Sequence, residues 1–88
     1  MRKVISKVIL QVESNWINQF VLSHVSSSDG DLQMWEIFDK YKQYLKKSGN
    51  ETELSIDGFG RLFPKCFERR MILKNGKQLN GVVGVRVV

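Results

Sequence analysis

The dipeptide Asn75-Gly76 lies between two β-rich runs, RRMILK before it and KQLNGVVGVRVV after it, whereas the apolar residues of 14–67 recur at steps of three and four. Asn-Gly supplies the two positive-φ positions that a tight hairpin turn demands. The chain is therefore expected to build a helical body first and close with a C-terminal β-hairpin over 69–88. A two-residue turn at 75–76 and a longer loop over 75–81, around both Asn-Gly pairs, remain alternatives.

Within the helical part, SNWINQFVLSHV at 14–25 places Trp16, Ile17, Phe20, Val21 and His24 on one face, with Ser14 as N-cap. Val4, Ile5, Val8, Ile9 and Val12 fit a helix by spacing and a strand by β-branching, so residues 1–13 are left open. SSSDGD at 26–31 reads as a loop. Asp31 then caps a second helix carrying Met34, Trp35, Phe38, Tyr41 and Leu45. Lys46 and Lys47 suit its C-terminal dipole, and Gly49 stops it. After a short extended residue at Leu54, Ser55 caps a third helix with Ile56, Phe59, Phe63 and Phe67 inward and Arg61 and Lys65 outward. Pro64 must kink that helix or end it near Phe63. Tyr44 lies off the apolar stripe and is expected to be the most exposed aromatic.

Eighty-eight residues suit one domain, and 42% hydrophobic with 26% charged residues is a folding composition. No run approaches the roughly 18 apolar residues of a membrane span. Lys7 splits the N-terminal apolar stretch and no small-residue cleavage site follows, which argues against a signal peptide. Cys66, the single cysteine, permits no internal disulfide. His24 and Cys66 lack ligand spacing, and no phosphate loop or carboxylate pair is present. We therefore expect no metal, no cofactor, no small-molecule substrate and no catalytic activity within this chain.

The net charge of +5 is unevenly placed. Residues 1–54 carry seven basic and seven acidic groups. Residues 55–88 carry Arg61, Lys65, Arg69, Arg70, Lys74, Lys77 and Arg86 against Asp57 and Glu68 only. Such a cluster gains affinity for a duplex by releasing condensed counterions, so double-stranded DNA is the expected partner.

Three helices followed by a basic hairpin describe an α+β winged helix, a helix-turn-helix core with a wing. The stretch LSIDGFGRLFPKCFERR with the later GVVGVRV resembles the RFX-type DNA-binding winged helix, whose third helix carries Phe-Gly-Lys/Arg and leads through a double Arg into the wing. It is also similar to the C-terminal winged helix of viral and phage helicase-primases. The two similarities cover 14–88; Pro64 and Gln78-Leu79-Asn80 have no counterpart in either. The resemblance implies that Arg61 and Lys65 of helix three, and Arg69, Arg70, Lys74 and Lys77 of the wing, meet DNA. In the RFX-type arrangement Arg70, Lys74 and Lys77 would read bases while Arg61 and Lys65 hold phosphates, and in general helix-turn-helix docking the roles reverse. Arg70→Ala with Lys74→Ala is expected to weaken DNA binding with little effect on folding.

The implied setting is transcription or replication inside a cell: the nucleus for an RFX-like protein, and otherwise the host-cell cytoplasm or the site of viral replication. Two rival readings stand beside it. The chain could be an accessory domain of a larger helicase-primase complex, or a protein-interaction winged helix marked by an exposed apolar patch.

Overall fold

A computed structural model describes residues 7–88, so Val4 and Ile5 of the open N-terminal segment lie outside the described residues. The chain is α+β, with elements in the order α1 (Lys7–His24), β1 (Val25–Gln33), α2 (Met34–Lys47), α3 (Ile56–Leu62), β2 (Arg69–Lys74) and β3 (Lys77–Val87). The strands form one antiparallel sheet in the order β1-β3-β2. Among the described residues no helix is long and apolar enough to cross a membrane.

The ambiguity over 7–13 resolves as helix, and Ser14 is an interior residue of α1 rather than its cap. Helical geometry there buries Glu13, Ile17 and Phe20 on one side. Glu13 is only 1% exposed, and its carboxylate is fully engaged. Oε1 accepts from the Tyr41 hydroxyl at 3.0 Å and from the Thr52 hydroxyl, and Oε2 accepts from the Glu53 amide at 2.8 Å. One acid thereby ties α1 to α2 and to the loop that precedes α3.

SSSDGD is strand, contrary to its composition. Ser26 and Ser27 pair with Arg86 and Val85, and Asp31 to Gln33 pair with Val83 to Gly81. The β-branched β3 supplies a ladder that overrides the turn propensity of its neighbour. That propensity survives only at the shift between Ser27 and Asp31, where the Gly30 amide donates to Ser28 Oγ at 2.9 Å. Opposite it, Gly84 takes φ of 75° and its amide donates to Asp31 Oδ1 at 3.2 Å, an irregularity of the β-bulge type. Asp31 is therefore a strand residue, and Gln33 precedes α2 instead.

The buried stripe of α2 is Met34, Ile37, Tyr41 and Leu45, packed on Ile17, Phe20, Leu54, Phe59, Phe63, Val82 and Val85. Phe38 is half-buried against Phe59, while Trp35 is 48% exposed. Tyr44, expected outside, is covered by Phe20 and His24 at ring separations of 5.4 and 5.0 Å. Gly49 ends α2 with φ of 76°, a left-handed position that suits glycine.

Ser55 caps α3 by accepting from the Gly58 amide at 3.2 Å. Phe63 ends the helix in an extended conformation, φ −62° and ψ 136°, as the ring of Pro64 requires. Lys65, Cys66 and Phe67 consequently lie in the link between α3 and β2 and not on the helix. Cys66 is exposed, and Ile56 is 40% exposed. Leu54 is buried without forming a strand.

The hairpin turn is the tight alternative. Lys74 faces Lys77 across Asn75 and Gly76, whose φ values of 52° and 75° are both positive. Gln78, Leu79 and Asn80 continue the ladder opposite Leu73, Ile72 and Met71, so they are strand and not an inserted loop.

Candidate functional site

An open groove of about 770 Å³ runs between the start of α2, the exposed side of α3 and the hairpin. Arg61 reaches it from the last turn of α3, Lys65 from the link and Arg69 from the first position of β2. Pro64 is the local cause of this convergence. By ending α3 it turns the chain so that three cations separated by four residues each border one space, where a continued helix would have carried Lys65 and Arg69 onward along its axis.

The three cations differ in freedom. Arg69 Nη2 donates to the Phe63 carbonyl at 2.8 Å, and its guanidinium lies 5.9 Å from the centre of the Phe63 ring. It thus braces the end of α3 against the hairpin while lining the groove. Arg61 and Lys65 are exposed, and no carboxylate among the described residues forms a salt bridge with either. Asp57 is the one acidic group on the groove wall.

The remaining hairpin cations stand apart from the groove lining. Arg70 pairs with Glu68 at 3.0 Å, but with side chains 64% and 59% exposed the pair is solvated and easily exchanged. Lys77 is exposed at the turn. Lys74 Nζ sits 2.9 Å from Glu36 Oε2, with both side chains about two-thirds covered. Arg86 is exposed on β3 opposite Ser26, at the end of the strand away from the turn.

Sequence reasoning missed the device that fixes the hairpin. Gln33, 2% exposed, donates through Nε2 to the carbonyls of Ile72 at 2.7 Å and Lys77 at 2.9 Å. Its Oε1 accepts from the Trp35 indole at 2.7 Å. Gly81 lets β1 lie this close, because a Cβ there would stand 2.4 Å from both Leu32 O and Ile72 Cδ1. The one local signal was the spacing of Gln33 and Glu36, since a Glu three residues after a polar residue can return to the start of a helix. Glu36 Oε2 does accept from the Gln33 amide, at 2.8 Å.

Sequence reasoning also missed the apolar part of the groove, where Trp35, Ile56 and Leu79 are 48%, 40% and 41% exposed beside nearly buried Met34. The groove is lined by three cations, by part-exposed apolar side chains and by Asn80, a lining suited to binding. Among the described residues no group of three or more His, Cys, Asp or Glu side chains could hold a metal ion. The chain matches no protein-family model and no curated protein.

Proposed function

We propose that the chain is a winged helix that binds double-stranded DNA across α3, the 63–68 link and the hairpin wing. The order α1-β1-α2-α3-β2-β3 with sheet order β1-β3-β2 supports the architecture: the wing is an edge hairpin whose β3 is also paired with β1. The observation that carries the functional reading is the convergence of Arg61, Lys65 and Arg69 on one open groove against a single carboxylate. Cations gathered along one face follow a phosphate backbone, and the counterions they release drive association.

In this reading Arg61 and Lys65 hold phosphates, Arg69 adds charge while bracing the wing, and Lys77, with Arg70 once it exchanges its solvated pair with Glu68, reaches base edges from the wing. A guanidinium or ammonium there can bond O6 and N7 of guanine. Lys74 contributes field more than contact, because Glu36 holds its ammonium. The chain acts as a binding module, with any catalysis supplied by other components of a transcription or replication complex.

The test is an anisotropy titration of a labelled duplex of about 20 base pairs with the wild-type chain and with R61A/K65A. Micromolar or tighter binding is expected at moderate salt, with at least a tenfold loss in the double variant. Equal affinity in a folded double variant would remove α3 and the link from the interface. A second reading, docking of a protein partner, is favoured only by the half-exposed Trp35, Ile56 and Leu79.

A further inference from the structure

We propose that the groove receives an unpaired nucleotide from a single-stranded extension at a duplex end, with its base stacked on Trp35 and its phosphates met by Arg61, Lys65 and Arg69. This rests on the duplex-binding reading and makes it more specific: the preferred partner is a duplex with an overhang rather than a blunt one.

Trp35 carries the argument. A tryptophan serving only the core would be covered, yet this one is 48% exposed and lines the groove. Nor is it turned outward to satisfy its N–H, because that proton is donated internally to Gln33 Oε1 at 2.7 Å. Gln33 is itself fixed by two hairpin carbonyls, so the indole is anchored at both removes to rigid backbone. A ring held in one orientation loses little freedom on stacking, which favours a planar ligand. Aromatic platforms beside cationic rims are the common means of gripping single strands, since every base has a π-face and every nucleotide a phosphate.

The rest of the groove fits a nucleotide. Its volume of about 770 Å³ lies in the range of small-ligand sites, about 300–1,000 Å³. Asn80 on its wall offers an amide to a base edge. An acidic amphipathic peptide would also meet the cations, but it needs sockets for successive apolar side chains. Here Trp35, the one aromatic among the lining residues, is also the most exposed of the apolar ones, which suits a planar ligand better.

The test uses W16F, which leaves Trp35 as the single tryptophan of the two in the chain. Three DNAs are titrated: a blunt duplex and the same duplex with a short single-stranded extension at its 3′ or its 5′ end. Affinity is read by anisotropy and base contact by indole fluorescence. We expect one extension to bind about fivefold to tenfold tighter than the blunt duplex and to quench Trp35 where the blunt duplex does not.

W35A should abolish the advantage of the extended duplex over the blunt one, and W35F, which keeps a ring, should retain part of it. Thermal melting confirms that each variant is folded. Equal affinity for all three DNAs, or a W35A loss shared equally by blunt and extended duplexes, would overturn the assignment. So would quenching by an acidic amphipathic peptide with none by either extension. Absence of blunt-duplex binding alongside quenching by an extension would overturn the duplex reading and leave the groove assignment supported.

Discussion

Lys74 Nζ lies 2.9 Å from Glu36 Oε2, and that same oxygen accepts from the Gln33 amide at 2.8 Å. One carboxylate oxygen therefore secures the start of α2 and holds the hairpin against it. Lys74 belongs as much to the fold as to the basic surface, which changes what its replacement should do. We expect K74A to lower stability by about 1 kcal/mol while reducing duplex affinity less than K77A does. Chemical denaturation and anisotropy on the two single variants check both halves. A K74A loss of affinity larger than that of K77A, at unchanged stability, would place Lys74 at the DNA.

Gly81 is the glycine at which an added Cβ would meet its neighbours most closely. A methyl group there would stand 2.4 Å from Leu32 O and Ile72 Cδ1 and 3.0 Å from Gln33 Cα, and two of these neighbours are backbone atoms that cannot rotate away. G81A should destabilise by about 1–3 kcal/mol or more, the range of overpacked sites. By contrast, a methyl group at Gly60 in α3 would meet only Met34 Cγ, at an ordinary 3.8 Å, so G60A should leave stability unchanged or raise it by up to about 1 kcal/mol. Urea denaturation of the pair separates the two cases.

Tyr41 is buried and donates to Glu13. Burial, and then the adjacent Glu13 carboxylate, raise its hydroxyl pKa above the ordinary 10.0. The folded chain therefore keeps the phenolic proton at pH values where the unfolded chain has released it. With more protons bound in the folded state, stability from this group is complete below about pH 10 and falls as pH rises beyond it. Unfolding free energies measured from pH 8 to 11 should show this alkaline decline, and Y41F should lack the part due to this residue. At neutral pH Y41F should cost about 1–2 kcal/mol, because Glu13 Oε1 loses one of its donors in a buried site. A Y41F profile parallel to that of the wild type across this range would contradict the assignment.

The features legible in the sequence are those set by local backbone chemistry. Asn75 and Gly76 required positive φ, Ser55 offered a cap, Gly49 a stop, and Pro64 forced Phe63 out of the helical region. What was not legible depended on partners far along the chain. Ser26 to Asp31 became strand because Val83, Val85 and Arg86 lay alongside, more than fifty residues away. Trp35 fell off the buried stripe of α2 because that helix presents Ile37 inward, and its indole found Gln33. In the candidate site, the charges of Arg61, Lys65 and Arg69 could be read directly, but their gathering on one groove depended on the chain turning after Pro64. The retention of Lys74 by Glu36 spans 38 residues and left no local trace.

If Arg61 and Lys65 hold DNA phosphates, the salt dependence of duplex binding counts those contacts. If the wild-type chain neutralises about four or five phosphates, log K should fall against log salt with a slope of roughly −4, at about −0.9 per phosphate. Removing two contacts in R61A/K65A should bring the slope to roughly −2. Duplex binding with the same slope in both proteins would contradict the account, as would a wild-type slope near zero.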